Sequence, residues 1–164
     1  MEEIIQELIA LGKVYGEKET YENQDIIQKI YTTLTPFFEK EFEQAISKEQ
    51  FLIPEDYKGF LLTLGGRTIE LGGNYGTAFF NAETVIANTE HWGGVGDSVK
   101  EVWLNIGEYS DKHWYFLCCD STSTSYGKIV DGYDATPWMG YNFLDFEANS
   151  ILPFLLNTIK DYDR

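Results

Sequence analysis

One stretch divides the chain into two regimes: Ile53-Pro54-Glu55-Asp56-Tyr57-Lys58-Gly59-Phe60-Leu61, closing on Gly65-Gly66. Proline is tolerated at a helix start because its missing N–H would be unpaired there anyway, and carboxylates in the first turn suit the helix dipole. Tyr57, Phe60, Leu61 and Leu64 recur at helical spacing and predict the buried face. Gly65-Gly66 offers the left-handed conformation that closes a helix. Before this segment the apolar residues keep a helical period. After it the period shortens.

Upstream, Ile4, Ile5, Leu8, Ile9 and Leu11 predict one helix, and Ile27, Ile30, Tyr31 and Leu34 a second. Thr35-Pro36 resembles an N-cap followed by proline, so a fresh helix is expected there, with Phe38, Phe42, Ala45 and Ile46 inward. Downstream, Thr68–Leu71, Thr77–Asn81, Val102–Ile106, His113–Cys119 and Tyr126–Val130 are short β-branched or aromatic runs between turn formers. Trp114-Tyr115-Phe116-Leu117 is apolar on both faces, as a central strand would be. Phe143 and Phe146 suggest a return to helix. Ser150 then caps Ile151–Lys160, with Pro153 in the first turn. Helices, then strands, then helices make an α+β domain.

The 164 residues suit one domain, and 43% hydrophobic residues can fill a core. Charge is the outlier. Twelve Lys+Arg against 27 Asp+Glu give −15, spread along the chain. Such a chain repels phosphate backbones and anionic lipid, which disfavours direct binding to nucleic acid or membrane and favours a basic protein partner. Met1-Glu2-Glu3 does not read as a secretory leader, so a cytoplasmic location is expected. The only cysteines, Cys118 and Cys119, are adjacent. Neighbours on a strand face opposite ways, so they suit free thiols better than a staple or a metal site.

Catalytic signatures do not accumulate. His113, Cys119 and Asp120 lack the paired spacing of a zinc site. Asp120 and Ser121–Ser125 are rich in hydroxyls, but no GxSxG elbow accompanies them, and a turn between strands accounts for them. Gly94-Val95-Gly96-Asp97-Ser98 lacks the GK[ST] ending of a phosphate loop. No catalytic residue, cofactor or metal is expected. An acid-lined hydrolase cleft around Asp120, Asp131 and Asp134 stands as the enzyme alternative.

Two segments mix carboxylates with large aromatics outside any period: Asp131–Tyr141 and His91–Asp97. Aromatic anchors beside acids on loops suit an interface for a basic partner. Asp131, Asp134, Trp138, Tyr141, Trp92 and Asp97 are therefore the candidate binding residues, expected on loops at one end of a sheet. Trp138 and Trp92 admit a second reading, in which they fold over the sheet edges to complete the core.

The Ile53–Leu61 helix start with its Gly65-Gly66 close resembles the signature helix of the SUKH superfamily (Smi/Knr-like domains), which holds bacterial immunity proteins and fungal cell-wall assembly regulators. Trp103-Leu104-Asn105-Ile106-Gly107 resembles that family's strand ending in Ile-Gly. Trp114–Cys119 with Asp120, followed by Gly127-Lys128-Ile129-Val130, resembles the next hairpin. Phe143–Phe146 and Ile151–Leu156 resemble its closing Phe-rich helix. The likeness runs in order over roughly residues 20 to 160. The N-terminal helices are longer than in the pattern, and Pro36 breaks the second. The resemblance implies a single domain over residues 1–164, with N-terminal helices in 1–52 and a core in 53–164. It implies a central twisted, mostly antiparallel sheet flanked by N-terminal and C-terminal helices. For the bacterial branch it implies neutralisation of a cognate toxin domain, often a nuclease, by direct binding. A regulatory or scaffold module like the fungal branch is the alternative.

Overall fold

In a computed structural model the protein is described at residues 1–21, 25–72, 76–92, 100–109, 113–133, 142–148 and 151–162. Side chains are described for these except Trp92, Tyr109, 131–133, 142–148, 151–154 and 161–162. Glu2–Leu11 forms α1, with Glu2 and Glu3 at its positive end and Ile5 and Leu8 fully buried. Gly12 ends it so close to the sheet that an added Cβ would lie 2.7 Å from the Glu70 carbonyl oxygen. Lys13–Tyr15 then makes the short strand β1. The purely helical reading of the N-terminal third misses it, since three residues carry too little period to register.

Asp25–Phe42 is one unbroken helix, α2, with Pro36 inside it. The expected restart at Thr35-Pro36 does not occur. Ile26, Ile27, Ile30, Leu34, Phe38 and Phe42 form a single buried stripe along its length. Interior proline costs about 3 kcal/mol, whereas burying each large apolar side chain of that stripe contributes about 1.5–3. Packing wins. The helix stops at Phe42, so Ala45 falls outside it and is exposed, while Ile46 is buried from the following turn.

Glu55–Leu64 is α3, with Pro54 at the N-cap rather than inside the first turn, and Tyr57, Phe60, Leu61 and Leu64 buried as the spacing predicts. Gly65 closes it in the left-handed region at φ 57°. Arg67 folds back to donate from Nε to the Leu64 carbonyl at 2.8 Å, satisfying one of the helix's last acceptors.

Among the described residues the sheet has seven strands in sequential order, every neighbouring pair antiparallel. After β1 come β2 (Thr68–Leu71), β3 (Thr77–Phe79), β4 (Trp103–Tyr109), β5 (His113–Cys118), β6 (Ile129–Tyr133) and β7 (Asn142–Ala148). Between β3 and β4 lies a helix the strand-rich reading overlooks, α4 (Ala82–Trp92). Asn81 caps it, its Oδ1 accepting the Thr84 N–H at 2.9 Å. The final helix is α5 (Ile151–Tyr162), with Pro153 at its third position. Ser150, the expected cap, lies outside the described residues. Phe143 and Phe146 belong to β7, not to a helix.

One sheet face carries Ile69, Phe79, Leu104, Leu117 and Ile129 into the core shared with the helices. On the other face Trp103, Phe116, Cys118 and Val130 form a second buried cluster, against which Trp114 packs partly exposed. Burial of Phe60, Ile106, Phe116 and Leu117 agrees with the sequence, but Trp114 is only half-buried. The arrangement is α+β, with helices flanking an antiparallel sheet. Among the described residues no helix is long and apolar enough to cross a membrane.

Candidate binding surface and a buried polar hub

The turn after β5 shows what the hydroxyl-rich segment does. Asp120 is 1% exposed. Its Oδ2 accepts the Gln50 side-chain amide at 3.0 Å and the Val102 N–H at 3.3 Å, and its Oδ1 accepts the Thr122 N–H at 3.0 Å and the Thr122 hydroxyl at 2.5 Å. Both carboxylate oxygens are spent on structure. Ser121 donates its hydroxyl to the Glu49 carbonyl, and Ser123 Oγ accepts the Ser125 N–H at 2.9 Å. Phe51 forms a lone antiparallel bridge to Asp120, and the Leu52 N–H donates to the Cys119 carbonyl at 2.9 Å. The segment joining α2 to α3 is thereby sewn to the end of β5. The sequence points to a turn here. The role of Gln50 carries no local signal, because its partner lies seventy positions away.

Two arrangements suggested by the sequence are not brought together among the described residues. An acid-lined cleft needs Asp120 and Asp131 side by side. Asp131 lies within β6, in register opposite Tyr115, five residues back along the chain from Asp120. In extended backbone that is about 17 Å. His113 and Cys119 are six residues apart on the same strand course, about 20 Å, too far to share an ion. Among the described residues no three His, Cys, Asp or Glu side chains group so as to hold a metal. The two thiols face opposite clusters, Cys119 in the main core and Cys118 in the second. Burial pushes the Cys118 thiol up to about 11 and the Cys119 thiol well above its ordinary value.

The six candidate binding residues separate into two groups. Asp131 is not on a loop: it is the third residue of β6. The connection carrying Asp134, Trp138 and Tyr141 joins Tyr133 to Asn142, which are register partners, so it closes the β6–β7 hairpin. Those three residues lie outside the described residues, as does Asp97. Trp92 is the last residue of α4 rather than a loop residue. The chain past Asp97 enters β4 at Trp103, whose register partner is Cys118. The Tyr133–Asn142 junction sits at the other end, in line with His113 and Tyr109. The described residues Trp103 and Tyr133 thus lie at opposite ends of the central strands.

Exposed carboxylates are spread over the described surface. Glu2, Glu3 and Glu7 on α1, Glu17 beyond β1, Glu41 and Glu43 at the end of α2, and Glu70 on β2 are exposed and make no ion pair with a described residue. Two ion pairs link described residues, Lys29–Glu83 at 3.1 Å and Lys58–Glu55 at 2.7 Å. The chain matches no protein-family model, no curated protein and no solved structure.

Proposed function

We propose that this protein is a binding module that captures a basic protein, in the manner of an immunity protein blocking a cognate toxin domain, such as a nuclease domain whose cationic substrate groove the acids would occupy. The observation that carries the reading is the set of exposed carboxylates that make no ion pair among the described residues of a −15 chain, while Asp120 is committed to structural hydrogen bonds. Unpaired acids raise encounter rates with a cationic partner and select against anionic ones. Aromatic anchors near them would hold the complex once formed.

The β6–β7 hairpin is the preferred contact. It gathers Asp131, Asp134, Trp138 and Tyr141 on one connected unit, and residues 129–148 contain four acids and no lysine or arginine. Trp92 and Asp97 remain the further candidates. The test is co-expression with the C-terminal domain of a secreted toxin encoded immediately upstream. Rescue of growth together with co-purification supports the reading. Growth arrest with no complex refutes it.

A further inference from the structure

Strand β3 ends at Phe79, so the first half of β4 has no described strand beside it on that side. Helix α4 fills the gap. The hydroxyl of Thr89, fully buried, accepts the Asn105 N–H at 3.0 Å, where a neighbouring strand's carbonyl would otherwise do so. Just beyond, a bulge at Ile106 shifts the pairing of β4 with β5.

Asn105 itself is 0% exposed, and neither Oδ1 nor Nδ2 of its side chain has a hydrogen-bond partner among the described residues. Its register partner is Phe116, and Phe116 in turn faces Val130, both in the second apolar cluster. A primary amide in such surroundings carries a desolvation cost unless something pairs it. The Thr89 hydroxyl accepts one bond and still has its own hydrogen to donate. One acceptor and two kinds of donor therefore remain at this corner of α4 and β4, the number of polar partners that an internal water uses.

We propose that Asn105 and Thr89 hold a single buried water between α4 and the β4 bulge. The water accepts from Nδ2 of Asn105 or from the Thr89 hydroxyl and donates to Oδ1. It makes the polar pair compatible with the apolar row it interrupts, and it seals the joint where a helix takes the place of a strand.

The test is water-selective NMR on the labelled full chain. Cross-peaks between the Asn105 Nδ2 protons and the water line should take opposite signs in laboratory-frame and rotating-frame experiments, as they do for a long-held water. Absence of those peaks would overturn the proposal. So would peaks of the same sign in both frames, which report proton exchange through the Thr89 hydroxyl instead. A crystal structure supplies a second readout. Solvent density within hydrogen-bond reach of both Asn105 and Thr89 is expected, and an empty or absent space between them contradicts it.

Discussion

The carboxylate of Asp120 accepts the side-chain amide of Gln50 at 3.0 Å, tying the link between α2 and α3 to the end of β5. The same carboxylate holds Val102 and Thr122. Asp120→Ala leaves the buried Val102 N–H and the partly buried Gln50 and Thr122 donors unpaired at once and should cost about 2–4 kcal/mol, whereas Gln50→Ala should cost about 1. Urea unfolding of the two variants measures both. Equal costs would mean that the Gln50 bond, not the hub, dominates.

Pro36 sits exposed inside α2 and denies the Thr32 carbonyl its regular partner. Pro36→Ala restores that donor, and the gain is offset in part by greater freedom of the unfolded chain. The net effect should be about 1–2 kcal/mol more stability, seen as a higher melting temperature. A lower one would show that the ring packs against a neighbour.

Tyr57 is 0% exposed, and its hydroxyl has no hydrogen-bond partner. Tyr57→Phe removes an unpaired polar group while keeping the ring that stacks on Phe60. Stability should hold or rise by about 1 kcal/mol in urea unfolding. A loss of that size would reveal a partner for the hydroxyl.

Alkaline pH should unfold the protein earlier than a chain with exposed tyrosines. Burial raises Tyr57 well above its usual value, and burial first among several causes lifts Tyr126 to about 12 and Cys118 to about 11. The unfolded chain releases these protons at lower pH than the folded one does, so it binds fewer protons in that window. Their contribution is fully present below pH 9, the thiol's ordinary value, and is lost progressively as pH climbs towards 12. Denaturant midpoints should fall from about pH 9 upward, and Tyr57→Phe should flatten the fall. In native protein near neutral pH neither thiol should react readily with a thiol reagent, and both should react on unfolding.

Much of this fold is legible in the sequence where period and punctuation agree. The limits of β2 at Thr68 and Leu71 and the buried face of α3 coincide with the spacing. The misreadings have physical causes. In β7, Phe143 and Phe146 pair with Gly132 and Val130, which are two apart, so an irregular pairing stretches a strand's period to three. That spacing imitates a helix. α4 is hidden because Asn81, read as the end of a strand, is its cap. The candidate site is legible only as composition. Which acids share a surface depends on register across β5, β6 and β7, which pairing decides rather than local sequence.

The central claim is capture of a basic partner by the acidic surface, and the salt dependence of that capture tests it most directly. The basic domain recovered in the co-expression test is titrated at low and high salt against wild type and against Asp131→Lys with Asp134→Lys. Melting temperature and circular dichroism first establish that the variant keeps its fold, since Asp131 lies within β6. The account predicts that wild-type affinity falls by about tenfold or more as salt rises, and that the double variant binds weakly with a flatter dependence. Equal low-salt affinity for the two proteins would place the interface elsewhere, and wild-type affinity indifferent to salt would contradict the claim itself.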